Sequence, residues 1–217
     1  MSTTPLTREN SAVVLIDHEV GFSNLVGSHR LAETIGNTVA LARTAQVFGL
    51  PLVVTAARES DPAGPLYPEL KEVLGDHHVI HRAPVFDAFD NEEFAAAIEA
   101  AGREKLVMAG IQTDVCLAFT ALTALNRGYE VYVVVDASGA TTKETHDTAV
   151  MRLVQAGAVP VNWLAAASEL LRGWVDQPLA PAIGEIVYDN LPPWHHQHVL
   201  TASVAELAAK QPGPART

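Results

Sequence analysis

The sequence of 217 residues predicts an α/β fold, a doubly wound three-layer sandwich with a six-stranded, mainly parallel sheet. Three observations lead to this prediction. Short apolar runs rich in Val, Ile and Leu recur along the chain, helical patterns lie between them, and the connections are short. Continuous apolar runs are typical of parallel strands that helices cover on both faces. Repeated alternation of strand and helix then gives a doubly wound sheet with right-handed connections.

Six apolar segments are predicted to be strands, over Ser11–Asp17, Pro51–Ala57, His78–His81, Lys105–Ile111, Glu130–Ala137 and Ala158–Trp163. In a doubly wound sheet, ligands bind beyond the carboxyl ends of the strands. Asp17, Arg82 and the turn from Gly110 to Cys116 follow three of the predicted strands. The active site is therefore expected at the edge of the sheet where these residues meet.

Six helical patterns lie between or after the strands, over His29–Phe48, Pro68–Leu74, Glu92–Ala100, Asp114–Asn126, Lys143–Gln155 and Ala166–Trp174. The first shows the basis of these predictions. Leu31, Ile35, Val39 and Ala42 recur at a three-to-four spacing, and Gly49 follows as a helix stop. The pattern indicates a helix that crosses over from the first strand to the second.

The composition excludes several classes of protein. The net charge is -11, from 14 Lys and Arg against 25 Asp and Glu, and binding to phosphate backbones needs clustered Lys and Arg. No stretch approaches the roughly 20 apolar residues that cross a bilayer, and the N-terminus lacks a signal-peptide core. We therefore expect a cytoplasmic protein without nucleic-acid or membrane partners. Its single cysteine, Cys116, cannot form an intramolecular disulfide.

The domain organisation is predicted to be one hydrolase domain over residues 1–176, followed by a C-terminal tail over 177–217. Proline becomes frequent after Gln177, which predicts an extended segment with a short helical pattern near Ser203–Lys210. The tail also carries the apolar residues Ile186, Val187, Tyr188, Leu191 and Trp194. Such a tail is expected to pack on the domain or on a neighbouring subunit, which predicts a homo-oligomer.

Cys116 is a candidate nucleophile because of its predicted position. It ends the segment Gly110-Ile-Gln-Thr-Asp-Val-Cys116, directly after a strand and within the first turn of a helix. Backbone N–H groups at a helix start carry positive partial charge, which lowers a thiol pKa and stabilises an oxyanion. A cysteine that simply packs under the helix is the alternative, since free cysteine is among the most buried residue types.

Asp17 and Arg82 are candidate partners of Cys116. Asp17 closes the first strand and is a candidate proton acceptor, although an aspartate at a strand end is also a common turn former. Arg82 follows the third strand and could hold both Cys116 and Asp17 in their charged forms. A surface arginine is the alternative interpretation of Arg82.

The segments around these residues resemble a known family, the isochorismatase-like cysteine hydrolases, which include nicotinamidases, carbamoylsarcosine amidohydrolases and isochorismatase itself. The resemblance covers roughly residues 10–175. It rests on VMAGIQTDVCLAFTALTALNRGYEVYVVVDASG over Val107–Gly139, which is similar to the family's G-[IV]-x-T-[DE]-x-C turn, and on VVLIDHEVGF over Val13–Phe22. Within the family it is closest to the YcaC-type hydrolases of unassigned substrate, through GPLYPEL, FDAFDNEEF and the tail after Trp174.

The resemblance implies Asp17 as the acid, Cys116 as the nucleophile and Arg82 at the family's lysine position. Arg82 is a departure, because a guanidinium supplies a permanent cation but cannot exchange a proton as a lysine can. Lys71 is a possible substitute, for which a solvated surface role is expected.

The resemblance further implies a non-proline cis peptide between Ile111 and Gln112, with the N–H groups of Gln112 and Cys116 as the oxyanion hole. It implies no cofactor and a homo-oligomer, by family analogy an octamer. The mechanism would be hydrolysis of a small amide or related acyl substrate through a thioester. Because Arg82 replaces a lysine, a non-catalytic ligand-binding or scaffold protein is the alternative. A redox sensor that uses the same thiol is a third hypothesis.

The sequence indicates the substrate-binding and metal-binding residues less clearly than the catalytic ones. Phe22, Phe86 and Thr113 are candidate substrate-binding residues, and Thr141, Thr142 and His146 are weaker candidates for the same cleft. The loop ARESDPAGPLYPEL has Asp61 but lacks the histidines through which nicotinamidases bind their metal, so no metal is expected. His77 and His78 are expected to be ordinary loop or strand histidines. The tail histidines are expected to be solvated or to lie in an oligomer contact; they are His195, His196 and His198. No G-x-G-x-x-G follows the first strand, which excludes a dinucleotide-binding site.

Overall fold

A computed structural model describes residues 4–58, 60–175 and 177–210. Its strands are β1 (Ser11–Ile16), β2 (Leu52–Ala56), β3 (Val79–His81), β4 (Lys105–Gly110), β5 (Glu130–Val134) and β6 (Val159–Val161). They form one sheet in the order β3-β2-β1-β4-β5-β6, and every neighbouring pair is parallel. The predicted doubly wound α/β fold is confirmed. The sheet is entirely parallel, and its strand order changes direction between β1 and β4, where such sheets bind ligands.

The helices are α1 (Leu31–Phe48), α2 (Pro68–Leu74), α3 (Glu92–Ala101), α4 (Ala118–Asn126), α5 (Lys143–Ala156), α6 (Trp163–Leu171), α7 (Ala180–Asn190) and α8 (Pro192–Lys210). Short 3-10 turns occupy Val20–Leu25, Ala88–Asp90 and Val135–Ala137, and a π-helical turn occupies Thr113–Leu117. The elements therefore alternate along the chain as the sequence predicts.

Two apolar cores lie on opposite faces of the sheet. Side chains of β1 alternate between them: Val13 and Leu15 pack with α1, α2, α6 and α7, whereas Val14 and Ile16 pack with α3, α4 and α5. A strand that is buried on both faces needs apolar residues at consecutive positions. This explains why β1 appears in the sequence as a continuous apolar run.

Helix ends follow the local chemistry of the sequence. Gly49 ends α1 in the left-handed conformation, with φ 63°, so the predicted stop is confirmed. Asn91 caps α3, because its side chain accepts a hydrogen bond from the Phe94 N–H. Thr142 caps α5 in the same way by accepting from the Thr145 N–H.

The C-terminal segment differs from the prediction, because it forms the two helices α7 and α8 rather than an extended tail. Pro181 lies in the first turn of α7, and Pro192 begins α8. Proline is tolerated in a first helical turn, where its missing N–H has no intrahelical acceptor. The prolines therefore mark helix starts here, although their frequency predicted an extended segment with a helical pattern only near Ser203–Lys210.

The two C-terminal helices differ in burial. Ile183, Ile186 and Val187 of α7 are buried in the same core as α1. On α8, Leu200 and Leu207 are each 61% exposed. No helix in the described ranges is long and apolar enough to cross a membrane.

Candidate active site

A cavity of about 230 Å³ lies at the carboxyl edge of the sheet, beside the ends of β1 and β4. Asp17 follows β1, Arg82 follows β3, and Cys116 lies in the turn after β4. All three side chains line this cavity. The structure therefore brings together the three residues that sequence analysis selected, from segments up to 99 positions apart in the chain.

Asp17 is the most tightly held of the three. It adopts the left-handed conformation, with φ 56°, which aspartate tolerates better than most residues and which is common at functional sites. One carboxylate oxygen accepts a hydrogen bond from Arg82, and the other accepts from the Thr55 hydroxyl at 3.0 Å. Burial raises the pKa of the Asp17 carboxyl, while the charge of Arg82 and hydrogen bonds from Cys116, Thr55 and Arg82 oppose that rise.

Arg82 is a buried cation with both ends of its guanidinium engaged. Its side chain is 3% exposed, Nη2 donates to Asp17, and Nη1 donates to the backbone carbonyl of Val85. The alternative of a surface arginine is therefore wrong. Lys71, the possible substitute, is exposed on α2 and lines a separate cavity. The permanent positive charge beside Asp17 thus comes from Arg82.

Cys116 is partly buried and lies within hydrogen-bonding reach of Asp17 and Arg82. Burial and the negative charge of Asp17 raise the pKa of its thiol to about 12, against the opposing effect of Arg82. The position at the helix start does not leave the thiol with a lowered pKa, because burial and the neighbouring carboxylate raise it. At neutral pH the resting site therefore holds a thiol that needs a base.

The turn that carries Cys116 is held by the segment that follows β5. The peptide bond between Ile111 and Gln112 is cis, and the Gly110 N–H donates to the Ser138 hydroxyl at 3.1 Å. The Gln112 carbonyl accepts from the Leu117 N–H at 3.2 Å. Within the described part of the chain the Gln112 N–H makes no hydrogen bond.

Gly110 permits this turn to pack against β1. A Cβ atom there would lie 3.0 Å from the Ile16 Cβ and 3.1 Å from the Leu117 Cβ, which is tighter than ordinary packing. The absence of a side chain at Gly110 therefore lets the turn approach the end of β1, where Asp17 follows. Close packing therefore explains why the predicted nucleophile turn has a glycine at this position.

The candidate substrate-binding residues divide into two groups. Phe22 and Phe86 line the cavity. Thr113 does not, because it is buried and its hydroxyl pairs with Nδ1 of His146 at 2.9 Å. The structure therefore does not bring Thr113 into this cavity: the π-helical turn directs its side chain towards α5. Neither His146 nor Thr142 lines this cavity.

Glu19 and Asp61 also line the cavity, and sequence reasoning gave neither of them a role there. Glu19 is fully buried, and its Oε1 accepts a hydrogen bond from the Ala57 N–H at 2.7 Å. Burial, followed by the charge of Asp17, raises the pKa of Glu19 to about 7. The ligand rule for strand ends, extended two residues past Asp17, would have found Glu19.

His18, between Asp17 and Glu19, has a structural position. Its Nε2 lies 2.9 Å from the backbone carbonyl of Ala137, to which only a protonated nitrogen can donate. Burial lowers the pKa of His18 to about 4, so the ring is neutral at physiological pH. It links the end of β1 to the turn after β5.

Among the described residues, no group of three or more His, Cys, Asp or Glu is arranged to hold a metal ion.

Comparison with known proteins gives a consistent family. The model of the isochorismatase domain matches residues 11–164. The probable hydrolase YcaC of Escherichia coli (strain K12) is 41% identical over 169 residues, which are 78% of this chain and 81% of that protein.

Two solved YcaC structures superpose over almost the whole chain. The Escherichia coli protein, described as an octameric hydrolase of unknown specificity, has a TM-score of 0.88 and 34% identity, covering 94% of this chain and 99% of its own. The Pseudomonas aeruginosa protein, solved with hexane-2,5-diol and covalent acrylamide, has a TM-score of 0.87 and 37% identity, covering 93% and 99%. The family model, these relatives and the shared fold show that this chain belongs to the isochorismatase family of hydrolases.

Proposed function

We propose that the protein is a cysteine-dependent hydrolase that cleaves a small amide or related acyl substrate, at a C–N bond other than a peptide bond, through a thioester. The observation that carries the proposal is the meeting of Cys116, Asp17 and Arg82 in one cavity. Its volume of about 230 Å³ suits a small molecule, and its walls include the apolar residues Phe22 and Phe86.

Asp17 is the base in this proposal. A thiol with a pKa of about 12 is almost fully protonated at neutral pH, so attack requires transfer of its proton as the C–S bond forms. Asp17 lies within hydrogen-bonding reach of the thiol, and burial raises the pKa of its carboxyl, which makes it a better acceptor. The proton therefore passes from Cys116 to Asp17.

The remaining steps use the same groups. The sulfur attacks the carbonyl carbon, and the N–H groups of Gln112 and Cys116 stabilise the oxyanion. Collapse of this intermediate breaks the C–N bond, Asp17 returns its proton to the leaving amine, and a thioester on Cys116 remains. Asp17 then deprotonates a water molecule that attacks the thioester, which releases the acid and restores the thiol.

Arg82 contributes a fixed charge and no proton transfer. The bond from Nη1 to the Val85 carbonyl orients the guanidinium, and the bond from Nη2 orients the Asp17 carboxylate. When Asp17 is protonated, the same cation stabilises the neighbouring sulfur anion. These roles require a permanent positive charge, which explains how an arginine can occupy the lysine position of the family.

A YcaC relative supports a nucleophile in this cavity. The Pseudomonas aeruginosa protein was solved with covalent acrylamide, an electrophilic amide that thiols attack. Cys116 is the single cysteine of the present chain, and it lines the cavity. The combination favours Cys116 as the reactive group.

We also propose that the protein assembles with copies of itself. The Escherichia coli relative is described as octameric. In this chain, α8 exposes Leu200, Val204 and Leu207, which share one face at spacings of four and three residues. A cavity of about 630 Å³ between α7 and α8, lined in part by Trp174 and Trp194, adds apolar surface to the same region. Both features are suited to contact with a second subunit.

The hydrolase proposal is tested with a panel of small amides, ureas and hydroxamates and the variant Cys116→Ala. We expect the wild type to release product from some of them, and Cys116→Ala to lose turnover by about 10⁴-fold or more. Product release is measured as ammonia or amine, and circular dichroism checks that the variant is folded.

Acrylamide labelling serves as the control. Mass spectrometry should find the adduct on Cys116 of the wild type, and a turned-over substrate should protect against it. Turnover that persists in Cys116→Ala would contradict the mechanism. Binding of panel members without any turnover would support the non-catalytic alternative instead.

A further inference from the structure

We propose that Glu19 and Asp61 form a second subsite in the cavity, which binds a positively charged N–H group of the substrate, a protonated amine or an amidinium. This inference rests on the proposed function, because it names the substrate class of the cavity that contains Cys116. It is carried by two carboxyl oxygens that are buried at the cavity and unpaired.

Glu19 presents the first of these oxygens. Its Oε1 is satisfied by the Ala57 N–H, whereas its Oε2 is buried without a hydrogen-bond partner in the described part of the chain. Buried polar atoms in folded proteins are almost always hydrogen-bonded, and an unpaired carboxylate oxygen is costly. A ligand with an N–H group would supply the missing donor.

Asp61 presents the second oxygen. Its Oδ2 is also buried without a partner among the described residues, and its charge raises the pKa of Glu19, which places the two carboxyls in electrostatic contact. The loop that carries Asp61 is fixed against the turn after Glu19. The Gly21 N–H donates to the Ala63 carbonyl at 2.8 Å, and a Cβ at Gly21 would lie 2.5 Å from the Pro62 carbonyl oxygen.

The charges that line the cavity favour a cation. They are the carboxyls of Asp17, Glu19 and Asp61 and the guanidinium of Arg82. Arg82 donates its hydrogen bonds to Asp17 and to the Val85 carbonyl, and its charge only partly offsets that of Glu19, on whose pKa it has a smaller effect than burial and Asp17. The rest of the described lining is mainly apolar and offers Glu19 and Asp61 no charged donor. A positively charged substrate group satisfies both, whereas an anionic group is repelled.

The subsite should depend on pH. Asp17, Asp61, Arg82 and Tyr67 are titratable or charged side chains that interact electrostatically with Glu19. Because the pKa of Glu19 is raised to about 7, its carboxyl is mostly neutral below that pH and mostly ionised above it. Affinity for a cation should therefore rise as the pH increases through about 7.

The test uses three amides of similar shape and different charge. 3-Aminopropanamide is a cation, butanamide is its neutral counterpart, and succinamate is an anion. Their dissociation constants for Cys116→Ala, which cannot form the thioester, are measured by ligand-observed NMR between pH 6 and 8. We expect the cation to bind about tenfold more tightly than butanamide at pH 8, and the anion to bind most weakly.

Two further substitutions, each combined with Cys116→Ala, test the residues. Glu19→Gln preserves the acceptor for the Ala57 N–H but replaces the unpaired oxygen by an NH₂ group. It should abolish the preference for the cation and its pH dependence, while butanamide binding, as a check of cavity integrity, stays within about twofold. Asp61→Asn should reduce the preference in the same direction. Equal affinity for the three amides, no measurable binding of the cation, or an unchanged preference in Glu19→Gln would overturn the subsite.

Turnover by the wild type separates this inference from the proposed function. A preference for the cation that depends on Glu19, without hydrolysis of any amide, would support the subsite and count against the hydrolase mechanism. Hydrolysis that depends on Cys116 with equal kcat/KM for the cation and butanamide would support the mechanism and overturn the subsite.

Discussion

The carboxyl edge of the sheet and the C-terminal helix α8 are built in opposite ways. At the edge, the charged side chains of Asp17 and Arg82 are buried and bonded to each other. On α8, apolar side chains such as Leu200 and Leu207 face solvent. Asp17 and Arg82 pair with each other within one chain, whereas the apolar groups of α8 have no comparable burial. A single subunit therefore supplies all three reactive side chains of the candidate site, whereas α8 is suited to contact with a second subunit.

Helix α7 stands between these two extremes. It belongs to the same C-terminal segment as α8, but Ile183, Ile186 and Val187 pack into the core beside α1. The side chain of Asp189, on the same helix, also pairs with Arg43 of α1 at 2.7 Å. The segment after Gln177 is thus half integrated into the fold, and its two helices should respond differently to substitution.

The largest effect is expected from Arg82→Met, which leaves the buried Asp17 carboxylate without its cation. Breaking a buried ion pair costs about 3–5 kcal/mol of the free energy of unfolding. Loss of Arg82 also removes a charge that lowers the pKa of Asp17, so this pKa should rise further. Because a raised carboxyl pKa favours the folded state at low pH, the destabilisation should be larger at pH 8 than at pH 5. Urea unfolding at both pH values measures it.

The variant Arg82→Lys is the matched control for this prediction. A lysine keeps the positive charge beside Asp17 but cannot make two hydrogen bonds in the fixed fork of a guanidinium. Arg82→Lys should lose less stability than Arg82→Met, and its loss of stability should depend less on pH. If the two variants unfold at the same urea concentration at both pH values, the charge of Arg82 does not stabilise the site.

A smaller loss of stability is expected from Ile186→Ala on α7. Ile186 is 1% exposed, and removal of a buried isoleucine side chain leaves a cavity that costs about 2–5 kcal/mol. Urea unfolding at fixed protein concentration measures this loss. A change below about 0.5 kcal/mol, the usual range of surface substitutions, would show that α7 does not belong to the core.

Most of the fold could be predicted from the sequence because its signals are local. The apolar runs and helix stops, such as Gly49, depend on neighbouring residues, and they indicated the alternation of strands and helices. The predicted strand ends were less accurate: in the run from Glu130 to Ala137 the strand ends at Val134, and a 3-10 turn begins at Val135. The C-terminal prolines were misleading because proline both ends helices and begins them.

In the candidate site, too, local signals predicted some residues and not others. Asp17 and Arg82 follow strands directly and Cys116 lies in the turn after β4, so the topology predicted all three at one edge. Thr113 lies outside the cavity because the π-helical turn sets its orientation, and Asp61 was missed as a lining residue because a loop of the second crossover carries it into the cavity. Contacts of this kind join segments that are distant in sequence, and no local pattern encodes them.

The smallest effect on stability is expected on α8, where Leu200→Ser and Leu207→Ser are combined. Both side chains are mostly exposed, so the free energy of unfolding of an isolated subunit should change by less than about 0.5 kcal/mol for each substitution. Assembly should respond much more, because a serine removes apolar surface that a second subunit would bury. Sedimentation velocity should therefore find the wild type as an oligomer and the double variant in smaller species, whereas Glu206→Ser on the same helix should assemble as the wild type does. A monomeric wild type, or a double variant that assembles normally, would contradict the role proposed for α8. In that case, contact with a second subunit would not explain why α8 exposes apolar side chains while the carboxyl edge buries charged ones.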